Sequence, residues 1–118
     1  MTEQRRSVET LVGEELNTVA FVMDYVEFHF NGPVLRALAS PRVSAADVEI
    51  RFGEAGSRDA LCSLIGATVS RVEVDDDAFI RLRFEDGRSL TVPLDGTDAN
   101  GPEAAHFQGT STGPLDVW

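Results

Sequence analysis

The chain has 118 residues, 42% of them hydrophobic and 25% charged, a size and mix that suit a single globular domain with one core. Acidic residues outnumber basic ones 20 to 10, and the net charge of −10 opposes binding to nucleic-acid backbones, the more so because no stretch of the sequence writes a basic patch. No apolar run reaches the roughly 18 residues of a membrane span and no apolar segment follows Arg5 and Arg6, so neither a membrane span nor a signal peptide is expected and a cytoplasmic location follows. The single cysteine, Cys62, excludes an intrachain disulfide.

Residues 1–6 are polar and expected to fray. Ser7 offers an N-cap to a short helix carrying Val8, Leu11 and Val12 on one stripe, with Gly13 to end it. From Leu16 the period changes to two, and apolar residues on both faces predict an interior strand through Val19, Phe21 and Met23. A reversal at Asp24-Tyr25 leads into Val26, Phe28 and Phe30, which alternate with Glu27 and His29 up to a turn at Asn31-Gly32. A third short strand runs from Val34 to Leu38 and ends at Ser40-Pro41, and residues 42–47 read as irregular.

Val48, Ile50 and Phe52 alternate with Glu49 and Arg51 as a half-buried strand, and Ser57 then caps a helix from Arg58 to about Ile65. Leu61, Leu64 and Ile65 form its core stripe, and Cys62 among them reads as a buried, inert thiol. Strands follow at Val69–Val74, Phe79–Phe84 and Ser89–Leu94, joined by an acidic turn at Asp75–Asp77 and a hairpin turn at Asp86-Gly87. Asp95–Pro102 is turn-rich, Ala104–Phe107 extended, Gly109–Pro114 a polar loop, and Leu115–Trp118 a closing strand anchored by its tryptophan.

Two stretches answer each other. Leu11–Leu35 is echoed by Leu64–Leu90, with Gly13 matching Gly66, Val19 matching Val72, Phe21 matching Val74, and Phe30 matching Phe84. The repeat-like halves are about 7–38 and 57–94, and neither carries enough apolar surface to fold alone. The expected fold is therefore α+β and β-dominated: one curved antiparallel sheet of about six to eight strands, rolled or barrel-like, with internal pseudo-symmetry and one principal short helix. Leftover sheet edges would invite a homodimer.

Leu11, Gly13, Asn31, Gly32, Leu61, Leu64, Ile65, Gly66, Phe84, Asp86, Gly87, Leu90, Glu103 and Ala104 together give the chain a pattern that resembles a group of small uncharacterised bacterial proteins, actinobacterial in type. The resemblance covers about residues 11–107, rests on glycine turns and core hydrophobes, and implies no established activity.

The best candidate for chemistry is the outward face of the second strand. Glu27 and His29, two residues apart, can converge on one ion, and with His106 they would form a two-histidine, one-carboxylate set for a divalent metal. In the repeat Arg81 and Arg83 occupy the positions equivalent to Glu27 and His29, so pairing of Glu27 with an arginine of the other half is the plain structural alternative. The DGTDANG run from Asp95 fails as a calcium loop, Asp75–Asp77 reads as a hairpin turn with a weak cation site as its alternative, and Gly53–Ser57 follows no phosphate-binding pattern. No catalytic triad or cofactor motif is present, and no cofactor is expected. The leading expectation is a non-catalytic binding or regulatory module that sets an acidic surface against a basic protein partner. The alternatives are a small metal-dependent enzyme or ligand binder centred on Glu27 and His29, and a structural dimer-forming unit.

Overall fold

The computed structural model describes residues 7–96, 101–110 and 113–118. The expected frayed N-terminus, the centre of the DGTDANG run and the middle of the Gly109–Pro114 loop lie outside these residues, as does the side chain of the expected cap Ser7. Ten described strands follow a 3-10 helix at Ser7–Leu11: β1 Thr18–Val22, β2 Tyr25–His29, β3 Val34–Ala37, β4 Arg42–Ala45, β5 Val48–Arg51, β6 Val69–Asp75, β7 Phe79–Phe84, β8 Ser89–Pro93, β9 Ala105–Gln108 and β10 Leu115–Val117. A single described α-helix, α1, spans Ser57–Cys62 between β5 and β6. Among the described residues, no helix is long and apolar enough to cross a membrane.

The strands form two five-stranded antiparallel sheets, ordered β1-β2-β3-β9-β10 and β5-β4-β8-β7-β6. This corrects the expectation of one curved sheet of six to eight strands rolled toward a barrel. Each sheet stays open, and each is a three-strand meander extended by a hairpin from the other half of the chain, since β3 pairs with β9 and β8 with β4. Apolar alternation gives strands such as β2, β3 and β7 one wet and one dry face, and two open sheets can bury their dry faces together without closing. Val26, Phe28, Leu35 and Phe107 from the first sheet accordingly join Val43, Ile80, Leu82 and Leu90 from the second in one hydrophobic cluster.

The segments preceding the two meanders tie the halves together. The Gly13 N–H donates to the Val69 carbonyl at 2.8 Å and the Gly66 N–H to the Leu16 carbonyl at 2.7 Å; the Leu16 N–H donates to Ala67 at 3.0 Å and the Val69 N–H to Glu14 at 2.9 Å. Exchanging Gly13–Leu16 with Gly66–Val69 turns each of these bonds into another, and the antiparallel bridge between Glu15 and Thr68 lies at the centre. Gly13 and Gly66 both sit at left-handed φ values, +91° and +94°, that a side chain would strain.

Several local expectations shift. The first hairpin turns at Met23-Asp24, one residue early, because Val22 pairs with Tyr25. β1 is an edge strand rather than an interior one, leaving Phe21 and Val22 each 37% exposed and Met23, at the hairpin tip, 96% exposed. The 3-10 geometry repeats every three residues, so Val8 and Leu11 are buried while Val12 faces water. α1 is preceded by Gly56 in the left-handed region, and Ser57 is its first residue rather than its cap; the Ser57 hydroxyl accepts from the Gly53 N–H at 3.1 Å. Beyond Cys62 the chain tightens, with the Leu64 N–H donating to Leu61 and the Ile65 N–H to Cys62, so Leu61 and Leu64 reach the core but Ile65 is turned out. β4 replaces the expected irregular stretch.

Candidate functional site

The period of β2 turns Val26 and Phe28 into the core and leaves Tyr25, Glu27 and His29 on the outer face of the first sheet. Glu27 lies directly across from Arg36 on β3, and Arg36 lies across from His106 on β9. The Arg36 Nε–H donates to Glu27 Oε2 at 2.7 Å, and His29 Nε2 stands 2.9 Å from Glu27 Oε1. Both Glu27 oxygens are thereby engaged. Burial pushes the Glu27 carboxyl upward, but hydrogen bonds from Arg36 and His29, aided by their charges, outweigh it and hold its pKa below the usual carboxylate value.

The structure thus brings Glu27 and His29 together and leaves His106 apart. Its Nε2 is 2.8 Å from Glu103 Oε1, and the Arg36 strand intervenes between it and Glu27, placing β2 and β9 two strand spacings, about 10 Å, apart. No three His, Cys, Asp or Glu side chains among the described residues gather as a metal-ligating group. The expected pairing of Glu27 with an arginine of the other half gives way to a neighbour on its own meander, because β3 lies next to β2. Arg81 and Arg83 pair instead with Glu73 on β6, at 3.9 and 2.9 Å.

The other sequence candidates resolve simply. Cys62 is exposed, correcting the expectation of a buried thiol, because it ends α1 on the side away from Leu61. The Asp75–Asp77 turn bonds within itself, from the Asp77 N–H to Asp75 Oδ1 at 3.1 Å. It also receives the C-terminus, since Trp118 Nε1–H donates to Asp76 Oδ1 at 3.1 Å.

A corner that the sequence did not single out is richer. Phe21, at the end of β1, stacks on Phe52, just past β5, with ring centroids 5.8 Å apart. The Arg58 guanidinium lies over both rings, 5.5 and 5.8 Å from their centroids. Beside them an open cleft of about 530 Å³ is lined by Met23, Phe52, Glu54, Arg58 and Asp59 among others. An apolar residue at a hairpin tip was the available signal, hidden because Met23 read as a strand residue. Compared with protein families, curated proteins and solved structures, the chain matches none of them, so its function is read from geometry alone.

Proposed function

We propose that the chain is a non-catalytic protein-binding module that engages its partner at the corner formed by the β1–β2 tip and the β5–α1 connection. The observation that carries this reading is Met23, 96% exposed beside the stacked Phe21–Phe52 pair and the open cleft. A large apolar side chain held in water at a hairpin tip gains by burial against a partner, while Phe21 and Phe52, fixed by stacking and by Arg58, lose little freedom when covered. Glu54 and Asp59 line the cleft and Asp24 adjoins Met23, so a partner that inserts an apolar side chain flanked by basic groups fits both the corner and the net charge of −10. On the outer face of the first sheet Glu27 is paired with Arg36 and His29, and His106 with Glu103.

Met23→Asp tests this. An exposed residue contributes little to the fold, so the melting temperature should stay within a few degrees of wild type. In affinity capture from source-cell lysate, a partner retained by the wild-type chain should be lost by the variant. Retention of the same partner at the same level would refute the reading.

A further inference from the structure

The second sheet turns an unusual face to water. Val43, Ile80 and Leu82 in the core mark its inner side and Ile50 lies across from Val43, so Arg42, Glu49, Arg51, Arg71, Glu73, Asp75, Arg81 and Arg83 project outward. Half of the chain's ten arginines thus share one face of a protein whose net charge is −10, although no stretch of sequence is basic. Arg42 lies directly across from Arg51, and Arg71 from Arg83. Like charges in cross-strand register oppose folding unless carboxylates lie between them, and Glu73 does this for Arg71 and Arg83.

Around Glu73 the imbalance is sharpest. This one carboxylate meets Arg83 at 2.9 Å, Arg71 at 3.7 Å and Arg81 at 3.9 Å. Arg81 is fixed, its Nε–H donating to Thr91 Oγ1 at 3.1 Å and its guanidinium lying 4.2 Å from the Phe79 ring centroid. Arg71 and Arg83 keep their side chains 69% and 47% exposed. Glu73 is therefore one carboxylate shared among three arginines.

We propose that the outer face of the second sheet docks a short acidic polypeptide segment, whose carboxylates take over Arg71 and Arg83 from Glu73. The surface shares no residue with the Met23 corner, so the module would join two partners of opposite charge. A polypeptide fits better than a nucleic acid for two reasons. The Phe79 ring is covered by Arg81 and so is not presented for base stacking, and a long polyanion would run beyond this face into the chain's negative field.

The test is fluorescence anisotropy of a dye-labelled hexaglutamate peptide, with an oligothymidylate of matched charge as competitor. The wild-type chain should bind the peptide, more weakly as salt rises. The double variant Arg71→Gln/Arg83→Gln should weaken binding by about tenfold or more, as expected for the loss of charge-assisted hydrogen bonds. Glu73→Gln should tighten it several-fold by removing the competing carboxylate, a gain that a purely structural arginine cluster would not give and that does not depend on the double variant folding. Absence of peptide binding by both wild type and Glu73→Gln overturns the proposal, as does binding indifferent to these substitutions. Displacement of the peptide by oligothymidylate at lower concentration than by unlabelled hexaglutamate overturns the choice of a polypeptide.

Discussion

Glu27 sets how the first sheet's outer face responds to acid. Its pKa is lower in the folded chain than in the unfolded one, so the Arg36 and His29 contacts stabilise the fold fully above the unfolded value and progressively less as pH falls through the folded value. Glu27→Gln should therefore cost about 1 kcal/mol at neutral pH, and the difference from wild type should shrink toward zero as the solution is acidified through the carboxylate range. Urea denaturation of both proteins across that range measures it, and a gap that persists in acid would contradict the assignment. Cys62 gives a second residue-scale expectation: being exposed, it should react with a thiol reagent in the native state about as fast as in urea. The contact of Glu27 with His29 was legible because two residues separate them on one strand. The separation of His106 was not, because it depends on which strand β9 joins, and nothing local to Ala105–Gln108 specifies β3.

At the scale of elements, turn chemistry carried most of the information. Asn31-Gly32 and Asp86-Gly87 punctuate the chain where the hairpins turn, and Val26, Phe28, Ile80 and Leu82 alternate inward as their period requires. β4 escaped because Arg42, Ser44 and Ala45 have little strand preference and only Val43 is buried. β1 was misplaced for a different reason: apolar residues on both faces usually mark an interior strand, but here they belong to an edge whose tip stays uncovered. The exchanged bonds around Gly13 and Gly66 make a prediction at this scale. An added Cβ would meet no neighbour at either position, so Gly13→Ala and Gly66→Ala should act through backbone strain alone. Each should lower stability by about 1 kcal/mol, and by similar amounts, since the two glycines have near-equal φ and equivalent bonds. Urea midpoints for the two variants would show it, and a neutral effect at either glycine would contradict the equivalence.

For the molecule as a whole, each meander is completed by the other half's hairpin, so neither half has a finished sheet without the other. The reciprocal bonds between Gly13–Leu16 and Gly66–Val69 join the two meanders where they begin. The outward faces of the two meanders differ, with Glu27 and His29 on β2 and Arg81 and Arg83 on β7. Charge is thereby sorted in space rather than along the chain: arginines from four strands assemble on the second sheet, while Glu54 and Asp59 line the cleft beside Met23. No reading of successive residues shows this, because pairing register alone brings Arg42, Arg51, Arg71, Arg81 and Arg83 to one face. Binding of a protein partner at the Met23 corner can be measured by parallel affinity captures with wild-type, Met23→Asp and Arg71→Gln/Arg83→Gln chains of equal folded content. A basic protein should be held by the wild-type and double-arginine chains and lost specifically from Met23→Asp; its equal recovery on all three, or recovery on none, would show that the corner is not the binding site.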